Sequence, residues 1–148
     1  MIEKFDNKSI YLDTAPLIHY LEENPSYFSF LETLLKKNEN GDFTLYTSAI
    51  TLTEVLTLPF RLGNKKLIKQ YERFLLASPT LKLISVNEVI AKLSAKLRAE
   101  YNFRLSDAIH LATAMEVKVD FFLTNDLSLE KVKGLQVITP LSWLKKKK

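Results

Sequence analysis

The chain has 148 residues, 47% apolar and 26% charged, a balance that fits one globular domain around one sizeable core. It contains no cysteine, which excludes a disulfide scaffold, a thiolate zinc site and a cysteine nucleophile. Its 21 Lys and Arg against 17 Asp and Glu give a net charge of +4, but the lysines at 145–148 supply that whole excess and leave a neutral body.

Uncharged runs stop at 11 residues (43–53 and 134–144), well short of the roughly 20 apolar residues of a membrane helix. The start of the chain has no apolar stretch of the kind a secretion signal carries. These features predict a cytoplasmic protein with no membrane partner. Three isolated glycines, Gly41, Gly63 and Gly134, assemble no phosphate-binding loop. With only His19 and His110, a histidine-rich metal site is not expected, and both read as ordinary helix-face residues.

In chain order, Ser9–Leu12 reads as a short buried strand ending at Asp13. A helix over 15–23 follows, with Pro16 in its first turn, and a second runs over 25–37 with Phe30, Leu31, Leu34 and Leu35 on one stripe. A strand over 43–47 leads to Ser48, the predicted cap of a helix over 49–58 that Pro59 and Gly63 break. A basic-faced helix over 64–77, a strand over 81–86 and a helix from Asn87 to 101 come next. Ser106 is the expected cap of a helix over 107–117, followed by a strand over 121–124, a short helix over 127–132 and a last strand over 135–138. Strands and helices alternate with no break in composition. The expected architecture is one domain over 1–148 with a basic tail at 145–148, in the α/β class, with a mostly parallel sheet of four to five strands.

Parallel sheets of this class bind ligands beyond the carboxyl ends of their strands. Asp13 directly follows the first strand and Asp126 closely follows the fourth, so both belong at that edge. Glu54 is mid-helix with Ile50 and Leu58 four residues to either side, a costly place for an unpaired carboxylate. Asp107 opens its helix. Each acid also has a plain structural reading. Asp13 and Asp126 suit turns or caps, Asp107 suits a helix dipole, and Glu54 suits a lysine partner or the solvated rim. Four such acids in separate elements favour a shared site.

The segments Ile10-Tyr11-Leu12-Asp13-Thr14, Ser48-Ala49-Ile50-Thr51-Leu52-Thr53-Glu54-Val55, Leu105-Ser106-Asp107-Ala108-Ile109-His110-Leu111-Ala112-Thr113-Ala114 and Phe122-Leu123-Thr124-Asn125-Asp126 resemble, in this order, those of a PIN domain. Over nearly the whole chain the resemblance is to the small VapC-like ribonuclease toxins of toxin–antitoxin pairs. It implies a three-layer α/β/α fold, divalent metal and RNA cleavage, and it puts the family's acidic positions at Asp13, Glu54, Asp107 and Asp126. It also puts a supporting hydroxyl at Thr124. His110 departs from the usual small or apolar residue and is given no role.

Clustered carboxylates repel one another, and an oxygen-only donor set suits Mg²⁺ or Mn²⁺. Such an ion activates water and stabilises charge on phosphoryl oxygens. Asp13 with Asp126 or Asp107 is the expected direct ligand set, and Glu54 is open between ligand and outer base. Thr14, Thr124 and Asn125 are supporting polar groups, and the number of ions, one or two, is open. A polyanionic substrate needs cations at the rim. Arg61, Lys65, Lys66, Lys69 and Arg73 are the first candidates, with Arg98 and Arg104 next; the same residues also suit a solvated helix face.

The expected function is a metal-dependent endoribonuclease, the toxin of a toxin–antitoxin pair, with RNA as substrate and an antitoxin as protein partner. The resemblance also suggests a homodimer. The alternative is a PIN-like module that has lost catalysis and binds RNA or protein; four intact acids weigh against it. A phosphoryl-transfer enzyme with Asp13 as nucleophile is the weakest reading, because Ala15 stands where a second acid is wanted.

Overall fold

A computed structural model of the chain describes residues 2–22, 25 and 28–140. The lysine tail, Ser26 and the last residue of the first expected helix lie outside them.

Strand β1 (Ser9–Leu12) is followed by α1 (Thr14–Leu21), α2 (Phe28–Glu39), β2 (Thr44–Ser48), α3 (Ile50–Leu62), α4 (Lys65–Leu76) and β3 (Leu81–Ile84). Then come α5 (Glu88–Tyr101), α6 (Leu105–Glu116), β4 (Phe121–Leu123), a 3-10 turn (Leu127–Lys131) and β5 (Val137–Ile138). The five strands form one sheet in the order β3-β2-β1-β4-β5, and every pairing is parallel. Parallel neighbours require crossovers, and helices supply them on both faces.

The period-2 alternation of β1 and β4 sorts the core into two layers. Ile10, Leu12, Phe121 and Leu123 face one way, into a core built with Leu17, Phe30, Leu34, Val55 and Leu75 from α1 to α4. Tyr11 and Phe122 face the other way, against Ile90, Leu97, Leu111 and Ala112 from α5 and α6. These are the three layers expected. Buried Ala108, Ala112 and Ala114 bring α6 close to its neighbours.

Three expected boundaries shift. Pro59 does not end α3; the helix continues for one turn to Leu62 with Pro59 buried in it. A proline removes one backbone bond, and the last turn is retied as Gly63 N–H donates to Phe60 O and Asn64 N–H to Pro59 O. Gly63, at φ 64°, makes the left-handed exit that ends the helix. Ser106 is not the cap of α6, because the helix starts earlier, with Arg104 at the cap position. Asn102, at φ 60°, closes α5 and leaves only a short link, so Ala108 N–H already reaches Arg104 O. Ser48 ends β2, and its Oγ accepts from Ile50 N–H, with Ala49 at the cap position.

Candidate functional site

The chain leaves β1 toward β2 and β3 on one side and returns to β4 and β5 on the other. The carboxyl ends of β1 and β4 are therefore the switch point where α/β sheets open a crevice. A cleft of about 470 Å³ lies there, lined by Asp13, Thr14, Glu54 and Asp107 together with Thr124, Asn125 and Asp126. All four acids singled out from sequence, and all three supporting residues, line this one cleft. Arg104 is also on its wall.

Asp13 is buried at the start of α1. Its Oδ1 accepts from Thr14 N–H at 2.8 Å and its Oδ2 from the Thr124 hydroxyl at 2.7 Å. Its own N–H donates to Leu123 O, so β1 and β4 position it together. Burial pushes its carboxyl above the ordinary carboxylate range, only partly countered by the positive charge of His110 and the Thr124 bond. The Thr124 Oγ also accepts from Asp126 N–H at 3.0 Å. Asp126 caps the 3-10 turn, its Oδ1 accepting from Ser128 N–H and hydroxyl. Asp13 and Asp126 thus both act as caps while lining the cleft.

Glu54 is not set among core side chains as its spacing suggested. Its neighbour Leu58 is 55% exposed, and the buried residues of α3 are Thr51, Val55 and Pro59. Glu54 sits at the rim, and its partner is His110 rather than a lysine. Its Oε1 accepts from His110 Nε2 at 2.5 Å and from the Thr14 hydroxyl at 3.0 Å. Burial raises the Glu54 pKa, but the bond and charge of His110 outweigh it, and the net position is below ordinary. For His110 burial works against the charged ring, yet the Glu54 bond and the Asp13 charge leave its pKa raised.

His110 is the residue that sequence reasoning missed. It is 1% exposed, with Nε2 on Glu54, 3.6 Å from Asp13 Oδ1, and with Nδ1 2.6 Å from the Tyr11 hydroxyl. The available signal was its place three residues after Asp107, on the same side of α6.

Asp107 pairs with Arg104, Nε to Oδ2 at 3.0 Å, and this bond holds the exposed guanidinium's pKa above its ordinary value. The other sequence-derived cations fall elsewhere. Arg61, Lys65, Lys66, Lys69 and Arg73 are exposed on α3 and α4, and none lines the cleft. Arg98 Nε donates to Phe103 O, within the α5–α6 link.

The donors around the cleft are oxygens, the set that hard dications take. Asn125 Oδ1 adds to them: among the described residues it is the buried side-chain polar atom with no hydrogen-bond partner. Also among the described residues, no three His, Asp or Glu side chains form a ready-made cage. Each acid is held by its own protein partner instead.

The PIN domain family model matches residues 10–135. The chain is a PIN domain. Its match spans all four acids of the cleft. Curated proteins give no match to it. Among solved structures, this PIN domain is similar to a chain of a toxin–antitoxin complex from Klebsiella pneumoniae, at 27% identity and a TM-score of 0.65, covering 88% of this chain and 97% of that one. It is also similar in fold to a chain of DNA-bound VapBC from Salmonella typhimurium (18% identity, TM-score 0.73, 90% and 98% covered). A third fold relative is VapC20 from Mycobacterium tuberculosis, a sarcin-ricin loop cleaving toxin (14% identity, TM-score 0.63, 86% and 98% covered). Among the described residues no helix is long and apolar enough to cross a membrane.

Proposed function

We propose that this PIN domain is a metal-dependent endoribonuclease, the toxin of a toxin–antitoxin pair, hydrolysing RNA phosphodiester bonds in the cleft. The observation that carries the reading is the meeting of Asp13, Glu54, Asp107 and Asp126 around one crevice at the switch point of the sheet. The similarity to a toxin–antitoxin complex chain supports the toxin role and a cognate antitoxin as partner. A homodimer is part of the same reading, and the exposed apolar residues Leu58, Phe60 and Leu62 on α3 offer surface for protein contact.

The residues suited to hold Mg²⁺ or Mn²⁺ are Asp13, Asp107, Asp126 and Glu54, with Asn125 Oδ1 as a neutral donor. Mg²⁺ is usually bound by one or two carboxylates plus water and substrate phosphate, so a closed protein cage is not required. When bound, the ion supplies an activated water and neutralises charge on the phosphoryl oxygens. The chain's own residues do the positioning. Thr14 N–H and Thr124 aim both oxygens of Asp13, and His110 and Thr14 pin Glu54. The lowered pKa of Glu54 favours its ionised form, which both a ligand and a proton-accepting base require. Arg104 at the rim offsets the repulsion between the acids and the RNA backbone.

Purified protein should cleave RNA with Mg²⁺ or Mn²⁺ and stop in EDTA. Metal should also raise the melting temperature, since it binds the folded state. Cleavage that survives rigorous chelation would remove the carboxylate–metal reading.

A further inference from the structure

Glu54 and His110 stand on opposite sides of the sheet in the fold's layering. The α3 residue Val55 belongs to the core shared with α1, α2 and α4, whereas α6 packs with α5 on the other face. The bond from His110 Nε2 to Glu54 Oε1 therefore crosses from one helical layer to the other at the carboxyl edge of the sheet.

The His110 ring is itself fixed from the centre of the sheet. Tyr11, fully buried on β1, stacks on Phe122 of β4 with ring centroids 5.1 Å apart and planes 3° from parallel. Its hydroxyl then meets His110 Nδ1 at 2.6 Å, with the two rings edge to face. The bonding works in either charge state of the ring. In the neutral ring Tyr11 O–H donates to Nδ1, and Nε2 keeps the proton it gives to Glu54. In the imidazolium both N–H groups donate, one to the Tyr11 oxygen and one to Glu54. The phenol stays protonated because burial keeps its pKa well above the ordinary value.

We propose that His110 is a positioning residue for the cation site, holding Glu54 across the layers so that its carboxylate faces the cleft beside Asp13. The geometry gives this residue work that packing alone does not require. A buried imidazole could be satisfied by Tyr11 and Thr14, both already within reach. Instead, its Nε2 reaches a carboxylate with about a third of its side chain in solvent. Outer partners of this kind orient the groups that bind an ion, and removing one typically weakens binding roughly 10–100-fold. The inference rests on the metal-site part of the proposed function, and its test is separable from RNA cleavage.

The test is a double-mutant cycle on Mn²⁺ affinity, measured by calorimetry on the full chain, with melting in EDTA and RNA kcat and KM on the same preparations. His110→Gln should weaken Mn²⁺ binding roughly 10–100-fold. It should lower kcat and leave the KM for RNA near that of the parent. Glu54→Gln should also weaken Mn²⁺ binding. Adding His110→Gln to Glu54→Gln should cost no further affinity, because the histidine acts through that carboxylate. Unchanged Mn²⁺ affinity in His110→Gln, or two losses that simply multiply, would overturn the proposal. Should His110→Gln not fold, Tyr11→Phe decides. It keeps the ring on Phe122, removes only the hydroxyl, and should still lower Mn²⁺ affinity several-fold; parent-like affinity would overturn the proposal. A parent that binds Mn²⁺ without cutting RNA overturns the nuclease reading, while the cycle still decides the role of His110. A parent that binds no Mn²⁺ overturns both.

Discussion

The Thr124 hydroxyl donates to Asp13 Oδ2 at 2.7 Å and joins the residue after β4 to the residue after β1. The same oxygen accepts from Asp126 N–H. One buried hydroxyl thus spaces two of the four acids. Thr124→Val keeps the shape, strips a donor from a buried carboxylate and leaves a backbone N–H without its acceptor. Such orphaned groups cost about 1–3 kcal/mol. The variant should melt several degrees lower in EDTA and cleave RNA at least tenfold more slowly. Parent-like melting and turnover would show that Thr124 does not organise the site.

Asp13→Asn separates chemistry from folding. The burial that raises the Asp13 pKa means that the folded protein holds its charge at a cost, so stability falls as pH rises from the ordinary carboxylate value through the raised one. A neutral amide escapes that cost. Without metal the variant should be as stable as the parent at pH 7, or more so, while activity falls by orders of magnitude. Full activity would sink the catalytic assignment, and marked destabilisation in EDTA would leave Asp13 as a structural cap.

Removing the cation of the cleft should act on substrate. Arg104→Ala should raise the KM for RNA with little change in melting, and the log–log salt slope of binding should become shallower by about one unit. Lys65, Lys66 and Lys69 changed together to Ala should also weaken RNA binding and flatten the slope, with kcat intact because none of them lines the cleft. An unchanged slope in the triple variant would leave α4 as a solvated face.

The His110–Glu54 pair predicts a pH window for the metal-free protein. The raised His110 pKa contributes stability that is fully present below its ordinary value of 6.5 and is lost as pH rises through the higher folded value. The lowered Glu54 pKa contributes stability present above its ordinary 4.5 and lost as pH falls through the lower folded value. The pair should therefore contribute most between those two ordinary values. Melting curves in EDTA against pH test this. In Glu54→Gln the alkaline decline should be smaller and end at lower pH, and curves that superimpose with the parent's would show that the pair is not coupled.

Much of this protein is decided locally. The spacing of apolar residues marks β1 to β5 and the helices between them to within a few residues, because burial on a sheet or helix face imposes a period. The order of strands and helices implies a parallel sheet. Asp13 directly follows β1 and Asp126 closely follows β4, so strand ends alone put them at one edge. The path of α3 through Pro59, by contrast, is decided by bonds made beyond the proline, and the start of α6 by Asn102 closing α5. Sequence ranked the basic residues of α3 and α4 ahead of Arg104, although only Arg104 lines the cleft, because a charge pattern says that a face is exposed and not which cleft it borders. Least legible was His110. Its partners Tyr11 and Glu54 lie 99 and 56 residues away along the chain, on β1 and in the opposite helical layer. Helical periodicity reports which side of α6 carries the ring. Only the packing of two layers across one sheet edge decides that this ring meets a carboxylate there.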